Sequence, residues 1–179
     1  HQGVIAVLAE IHYADIFQIV QQCFERAEHP LVLVLDQITD VRNFGAIARA
    51  ALCAGVHAIL IPSKGAAQIN SDAIKTSAGA LHHIAVCRVP YIAETLQQLK
   101  SSGLQIIACH EKTASTIYTT SLLGPLAIIM GSEDKGISPA YIKCCDAEVS
   151  IPMRGPVESL NVAVATGIVL FERLRQTLN

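Results

Sequence analysis

Polar residues that could support chemistry gather in three short stretches, each of which follows a run rich in Val, Ile and Leu. In the first, DQITDVRNFGAIARAALCAG (36–55), Asn43 stands where a helix cap belongs, and Arg49 interrupts a run of small apolar residues six positions later. Gly45 lies between them and would allow a close approach to the start of the helix. On spacing alone, an ordinary cap followed by a solvated arginine explains this stretch as well as a binding site does.

The second stretch, MGSEDKGIS (130–138), is a glycine-bounded loop that carries Glu133, Asp134 and Lys135. Glycines at its ends would let backbone N–H and C=O groups face a ligand with no side chain in between. The loop is not a phosphate-binding P-loop, because the spacing and the final Gly-Lys-Ser/Thr of that motif are absent. An ordinary surface turn is the alternative interpretation.

The third stretch, IPMRGPVESLNVAVATG (151–167), places rigid and turn-forming residues directly before an apolar helical pattern. Pro152 and Pro156 stiffen the loop, and Ser159 and Asn161 present a hydroxyl and an amide where the helix should begin. Ser159 could be a simple helix cap. Asn161 is harder to explain, because asparagine is a poor helix former and the residues after it are apolar.

Apolar runs alternate with helical patterns along the chain, and this alternation predicts an α/β fold. The runs are apolar at nearly every position, which is typical of parallel strands buried on both faces of a sheet. The predicted strands are 4–9, 31–36, 57–61, 84–89, 104–109, 126–131 and 147–151, and the predicted helices are 13–27, 43–54, 71–80, 92–100, 139–143 and 160–176. Because ligands of open α/β sheets bind at the carboxyl ends of strands, we expect the chemistry after Asp36, Met130 and Ile151.

Length and composition fit one globular domain, with 179 residues, of which 51% are hydrophobic and 16% charged. No apolar stretch reaches the roughly 18 residues of a membrane span, so we expect no membrane partner. The net charge of −2 argues mildly against a nucleic-acid binder, although a local basic patch stays open. The six cysteines show no CxxC pair and no zinc-ligand spacing, which predicts reduced thiols, no metal site and a cytoplasmic protein.

Taken together, the three stretches resemble the SpoU (TrmH) family of RNA ribose 2′-O-methyltransferases, within the SPOUT superfamily. The first matches the family pattern N-x-G-x-x-x-R at 43–49, the second G-x-E-x-x-G at 131–136, and the third I-P-M-x-G-x-x-x-S-L-N-V at 151–162. Three motifs in this order and at these separations are far more specific than any one of them. The resemblance is close from about 31 to 175.

The resemblance implies features that the residue pattern could not indicate. Family members bind S-adenosylmethionine in a deep trefoil knot formed by the C-terminal strands and helix, and they are homodimers whose sites lie close to the subunit interface. The opening HQGV resembles the junction that follows an N-terminal RNA-binding domain. We therefore expect 1–179 to be the catalytic domain, with 1–30 as its leading strand and helix, and the RNA-binding domain to be absent from this chain, which starts at His1.

The resemblance also assigns roles to particular side chains. Arg49 would contact the ribose 2′-oxygen and stabilise the developing alkoxide, while Asn43 and Glu133 would orient the reacting groups. The residues implied in catalysis are Asn43, Arg49, Glu133, Ser159 and Asn161; those implied in cofactor binding are Gly131, Ile151, Met153, Ser159, Leu160 and Asn161; those implied in RNA binding are Asn43, Arg49, Lys135 and Arg154.

The expected function is methyl transfer from S-adenosylmethionine to a ribose 2′-hydroxyl of RNA, with a guanosine of 23S ribosomal RNA as the expected target. Two alternatives stay open at this point. The substrate could be tRNA, or the chain could be a binding module that keeps the fold but has lost catalysis. The presence of all five implied catalytic residues counts against the second alternative.

Overall fold

The computed structural model describes residues 10–179, in which helices and strands alternate as predicted. The strands are β1 Leu31–Asp36, β2 Ala58–Pro62, β3 Ala85–Val89, β4 Gln105–Cys109, β5 Leu126–Gly131 and β6 Ala147–Val149. The helices are α1 Ile16–Glu25, α2 Val41–Cys53, α3 Ser71–Thr76, α4 Ile92–Ser101, α5 Pro139–Ile142 and α6 Val162–Thr177, with a short 3-10 turn at Ala80–His82. The predicted α/β class is confirmed.

The strands form one six-stranded sheet in the order β3-β2-β1-β5-β4-β6, and its strand pairs are parallel. The central strands β1 and β5 are buried at nearly every position, which is why their sequences are apolar except for Asp36 at the end of β1. Their register pairs Asp36 with Gly131. The carboxyl end of β1, where the first polar stretch begins, therefore lies beside the carboxyl end of β5, where the second polar stretch begins.

Helices cover both faces of the sheet and divide the core into two layers. Successive residues of β1 point to opposite faces. Leu31, Leu33 and Leu35 pack into the layer that contains α2, α3 and α6. Val32 and Val34 pack into the layer that contains α1, α4 and α5. The two layers hold the carboxyl edge of the sheet in place from both sides.

Several predicted boundaries are wrong by a few residues for local reasons. The predicted helix 71–80 ends at Thr76, because the chain turns through Gly79, whose φ of +82° is in the left-handed region. β6 ends at Val149, before the predicted end of its strand, and the chain then turns toward the segment after β4. The predicted strand 4–9 lies outside the described residues.

All six cysteines are free thiols, and four of them are buried. This agrees with the prediction of reduced thiols, although Cys53 is exposed and Cys145 is only partly buried. Within residues 10–179, none of the helices combines the length and the apolar character needed to cross a membrane.

Candidate active site

The three polar stretches meet at the carboxyl edge of the sheet. The first leaves β1 and enters α2, the second leaves β5, and the third leads from β6 into α6. α2 and α6 pack against each other on one face of the sheet. This packing brings side chains together that lie more than a hundred residues apart in the sequence.

Asn161, Asn43 and Glu133 form a hydrogen-bonded network with one member from each stretch. The Asn161 Nδ2 group donates to Asn43 Oδ1 and to Glu133 Oε1, at 2.9 Å in each case. Glu133 Oε1 also accepts from the backbone N–H of Val162 at 3.0 Å. The network therefore joins the start of α6 to α2 and to the loop after β5.

Asn161 is the N-terminal cap of α6, which explains an asparagine before an apolar helix. Its Oδ1 accepts from the backbone N–H groups of Ala163 (3.0 Å) and Val164 (3.3 Å). The alternative that Ser159 caps this helix is therefore wrong, and the predicted start of the helix lies two residues too early. Because both amide hydrogens of Asn161 and its oxygen are already engaged, this side chain positions other groups and has little capacity left for a ligand.

The prediction that Asn43 caps α2 is also wrong. Asp40 caps this helix, and its Oδ1 accepts from the N–H groups of Arg42 and Asn43 at 2.9 and 2.8 Å. Asn43 is instead inside the first turn, so its side chain is free to reach Asn161. The close approach predicted at Gly45 is confirmed, and the group that approaches is α3, since a Cβ on Gly45 would collide with Ala73 and Thr76.

Glu133 lies at the N-terminus of α6, where a negative charge is favourable. A helix of this length carries a partial positive charge at its N-terminus, and a carboxylate there is stabilising by about 0.3–1 kcal/mol. The Glu133 side chain is exposed but oriented by its contacts with Asn161 and Val162. Its Oε2 atom makes no hydrogen bond within residues 10–179 and is left to face solvent or a ligand.

An open cavity lies around the end of β5, and we call it the β5 cavity. Its walls come from the ends of β4 and β5, from the loop after β5 and from the third polar stretch. The predicted cofactor residues Gly131, Ile151, Met153, Ser159 and Leu160 all line it. Asn161, the sixth predicted cofactor residue, stands behind this wall in the network just described and is not among the lining residues.

The loop after β5 is a tight turn that depends on its glycines. Gly136 has a φ of +66°, and its N–H donates to the Ser132 carbonyl at 2.9 Å. A Cβ on Gly131 would collide with the backbone of Gly136. The two glycines therefore let the loop close on itself beside the β5 cavity.

Asp36 fixes the far end of this loop, a role that the sequence did not reveal. Its side chain is 2% exposed, and its Oδ2 accepts from the backbone N–H of Ser138 at 2.6 Å. Gln37, held at a φ of +58°, donates from Nε2 to the Ser138 hydroxyl at 3.3 Å. A carboxylate closing an apolar strand was visible in the sequence, but its partner, 102 residues away, was not.

A second cavity adjoins the first across Glu133 and Lys135, and we call it the Asn43 cavity. It is lined by the loop after β1, by Asn43 and by the loop after β5. Arg49 lines neither cavity, because six residues along a helix turn its side chain well away from that of Asn43. Arg154 is exposed and lies outside the lining of both cavities.

One group of side chains in residues 10–179 has the donor atoms for a metal ion, namely Cys23, Glu28 and His57. The Nδ1 atom of His57 accepts from the backbone N–H of Leu31 at 3.0 Å. The proton of the neutral ring therefore sits on Nε2, which lies 3.4 Å from Glu28 Oε2, so neither nitrogen has a lone pair free for a metal. Burial also raises the pKa of the Cys23 thiol, which disfavours the thiolate that a metal requires.

Known proteins are similar to this chain in sequence and in fold. The model of the SpoU rRNA Methylase family matches residues 30–171. The 23S rRNA (guanosine-2′-O-)-methyltransferase RlmB of Photorhabdus laumondii is 40% identical over 179 residues, covering 98% of this chain and 72% of the relative. RlmB of Escherichia coli K12 is 38% identical over 177 residues, covering 98% and 72%.

Solved structures agree. The SpoU methyltransferase AviRb from Streptomyces viridochromogenes, in complex with AdoMet, matches with a TM-score of 0.83 and 27% identity, over 94% of this chain and 67% of that one. The A. aeolicus TrmH/SpoU tRNA modifying enzyme matches with a TM-score of 0.77 and 28% identity, over 89% and 85%. With the family model spanning most of its length, this chain belongs to the SpoU rRNA methylase family.

Proposed function

We propose that this protein transfers the methyl group of S-adenosylmethionine to a ribose 2′-hydroxyl of RNA, and that its target is a guanosine of 23S ribosomal RNA in the cytoplasm. The observation that carries the proposal is the Asn43–Glu133–Asn161 network, which joins all three family motifs beside the β5 cavity. The names of the relatives, which are 23S rRNA guanosine methyltransferases at about 40% identity, support the reaction and the target.

The residues around the β5 cavity fit S-adenosylmethionine. Apolar side chains of Met130, Ile151 and Leu160 can enclose an adenine ring, and the closed loop after β5 offers backbone groups at close range. Carboxylates such as Glu111 and Glu158 also line the cavity and can offset the positive charges of the cofactor's amine and sulfonium. When bound, the cofactor supplies an activated methyl group.

The protein's own residues must bring a ribose hydroxyl to that cavity and polarise it. A ribose hydroxyl is a weak nucleophile, so its proton must leave or be strongly hydrogen-bonded. Glu133 lines both the β5 cavity and the Asn43 cavity, and its Oε2 is available for a ribose placed between them. Asn43, locked by its bond from Asn161, orients the same region. Most of the rate enhancement then comes from holding two reactants in line.

Arg49 is proposed to act across a dimer interface. It is exposed on α2, and Ala46 and Cys53, one helical turn before and after it, share its face. α6, which packs beside α2, exposes Val164 and Phe171 in the same way, at 52% and 48%. Two copies that bury these apolar faces against each other would bring Arg49 of one copy toward the cavities of the other. There its guanidinium would stabilise the developing alkoxide and contact the adjacent phosphate.

We further infer that the chain forms the trefoil knot of this family around the third polar stretch. The segment between β4 and β5 contacts the chain before and after that stretch: the Ser150 N–H donates to the Ser115 carbonyl at 2.8 Å, and Gln176, near the C-terminal end of α6, donates to the Thr120 carbonyl at 3.1 Å. These contacts support threading of the C-terminal segment through this loop. A crystal structure tests it, and a backbone path that stays outside the loop would contradict it.

Methylation of defined RNAs tests the proposed function. The full-length protein is incubated with labelled S-adenosylmethionine and unmodified transcripts of 23S ribosomal RNA and tRNA, and the label is mapped by nucleotide. We expect one 2′-O-methylated guanosine in 23S RNA. Labelled tRNA would favour the alternative suggested by the A. aeolicus tRNA enzyme. Cofactor binding without methylation of either RNA would favour the catalytically silent module.

A further inference from the structure

We propose that a cleft next to the β5 cavity, lined by Lys112, Lys135 and Lys143, binds phosphate groups of the RNA strand beside the target ribose. The inference rests on the proposed function, because it assigns a second contact to the same substrate. We call this site the lysine cleft. Lys112 and Lys143 belong to none of the three family motifs, and only Lys135 lies within one of them.

The lysine cleft lies between the end of β4 and α5 and shares lining residues with the β5 cavity and with the Asn43 cavity. Lys112 lines the cleft and the β5 cavity. Lys135 lines the cleft, the β5 cavity and the Asn43 cavity, so it stands where all three meet. An RNA strand that runs from the Asn43 cavity across Lys135 into the cleft would therefore present a ribose at the mouth of the β5 cavity.

The charges in the cleft favour an anion. Its three lysines are exposed, and within residues 10–179 none of them forms a salt bridge. Two carboxylates also line it, those of Glu111 and Glu148. The second is engaged by His110, whose Nε2 lies within hydrogen-bonding distance of Glu148 Oε2. Positive groups thus outnumber free carboxylates in this cleft, although the whole chain has a net charge of −2.

His110 also holds the backbone that carries Lys112. The Lys112 N–H donates to His110 Nδ1 at 3.1 Å, so the ring proton sits on Nε2 and points to Glu148. The pair ties the end of β4 to β6, and it fixes the loop between the β5 cavity and the cleft. One lysine of the cleft is therefore held on a constrained backbone, which reduces the ordering needed when a ligand binds.

A phosphate is the anion that fits best, and lysine suits the task. A lysine ammonium is a compact point charge that neutralises a phosphate without reading a base. The other anion available is the carboxylate of S-adenosylmethionine itself. Lys112 and Lys135 could reach either one, because they also line the β5 cavity. Lys143 lines the cleft but not the β5 cavity, so its substitution distinguishes an RNA phosphate from the cofactor carboxylate as the bound anion.

The test measures affinity for unmodified 23S transcript across a series of salt concentrations, together with the cofactor Kd by calorimetry. The variants are Lys143→Ala, Lys112→Ala and Lys143→Arg, made in the full-length protein. The control is Arg26→Ala, which removes an exposed cation next to α1, at the amino edge of the sheet. Thermal melting verifies that each variant is folded.

We expect each alanine variant to bind RNA about fivefold more weakly, with the slope of log K against log salt reduced by about 0.7–0.9 for each lost phosphate contact. Lys143→Arg keeps the charge and should keep the slope. The cofactor Kd should stay within about twofold of wild type, and Arg26→Ala should behave as wild type.

Two results would overturn the assignment. Unchanged RNA affinity and salt slope in both alanine variants would show that the cleft does not contact RNA. A loss confined to cofactor affinity in Lys143→Ala would show that the anion is the cofactor carboxylate. Methylation of the transcript by the wild-type protein is measured in the same experiment. If it is absent, the proposed function fails; if it is present while the variants bind normally, only the cleft assignment fails.

Discussion

Replacing Asn161 by Asp separates its two structural tasks. An aspartate keeps the two acceptor contacts with the N–H groups of Ala163 and Val164, so the α6 cap survives. It removes the amide that donates to Asn43 and Glu133 and puts a carboxylate oxygen at that position, about 2.9 Å from Glu133 Oε1. The cap is thus retained while the network becomes repulsive.

The size of the effect follows from these contacts. Two charges about 3 Å apart repel by about 1–3 kcal/mol near an exposed surface, where the dielectric is closer to that of water than of a protein interior. Two lost hydrogen bonds add about 1 kcal/mol, so at neutral pH Asn161→Asp should lower the free energy of unfolding by about 2–4 kcal/mol. Asn161→Ala loses the cap and the donors but adds no charge, and it should cost about 1–3 kcal/mol.

The two variants should differ most clearly in their pH dependence. The neighbouring carboxylates raise each other's pKa in the folded state, so the folded protein holds a proton that the unfolded chain releases. The free energy of unfolding of Asn161→Asp, relative to wild type, therefore recovers as the pH falls and decreases as the pH rises through the raised pKa. Protonation also restores a donor between the two groups. Asn161→Ala has no added acid and should show no such recovery.

Thermal and urea unfolding between pH 5 and 8 measure this difference. For a chain of this size, 1 kcal/mol corresponds to about 2–4 °C in Tm, so the expected losses are readily resolved. Asn161→Asp should approach wild type at pH 5 and fall below Asn161→Ala at pH 8. Wild-type stability of Asn161→Asp at pH 8, or a greater relative loss on acidification, would refute the network.

The remaining predictions concern the glycine loop, the thiols and the interface. Gly131→Ala should destabilise the loop after β5 and weaken cofactor binding by about tenfold or more, because the added Cβ collides with the backbone of Gly136; calorimetry that finds wild-type affinity would contradict this. Burial raises the pKa of the Cys109 thiol to about 12, so this thiol should resist iodoacetamide at pH 8, whereas Cys53, which is exposed in the single chain and lies on the proposed interface, should react in a monomer and be protected in the dimer; peptide mass mapping tests both. Phe171→Glu should convert a dimer into a monomer by light scattering, and a wild-type chain that is already monomeric at micromolar concentration would count against the interface.

Much of the sheet could be predicted because its strands obey a simple rule. Apart from Asp36, the buried positions of β1 and β5 are apolar because both faces of the sheet are covered, and this pattern distinguishes a buried parallel strand from one with an exposed face. The boundaries at α2 and α6 were harder. Asp40 and Asn161 act as caps, but Asn43 and Ser159 are equally good capping residues by type. The backbone path into each helix decides which of them accepts from the first N–H groups, and residue type does not indicate that path.

The contacts that build the site could be predicted only in part. The motifs identified Asn43, Glu133 and Asn161, but not that they bond to one another, because spacing along the chain does not report distances across a sheet. The Asp36 contact with Ser138 carried no motif signal at all. The hydrogen-bond partner of this buried carboxylate can be identified only from the folded structure, because the two residues are 102 positions apart in the sequence.

The position of Arg49 fits a role in the reaction only if a second copy of the chain is present. Six residues turn a helix by about 600°, so Asn43 and Arg49 cannot point the same way from α2. With Asn43 bonded to Asn161, Arg49 must face outward, where the structure places it. If it serves the same reaction, it must serve the site of another copy. Arg49→Ala alone should then lower turnover by about 10²-fold or more and leave cofactor affinity unchanged, and Arg49→Lys should restore only part of the rate.

Mixing two inactive variants distinguishes action within one chain from action across the interface. Arg49→Ala lacks the arginine but keeps the network, whereas Asn161→Ala keeps the arginine but lacks the network. If each site combines Arg49 of one copy with Glu133 and Asn161 of the other, a mixed dimer contains one intact site. Random exchange of subunits at equal concentrations gives half mixed dimers, so the mixture should recover about a quarter of the wild-type rate. If Arg49 acts within its own chain, no dimer contains an intact site, and the mixture should stay as inactive as its components.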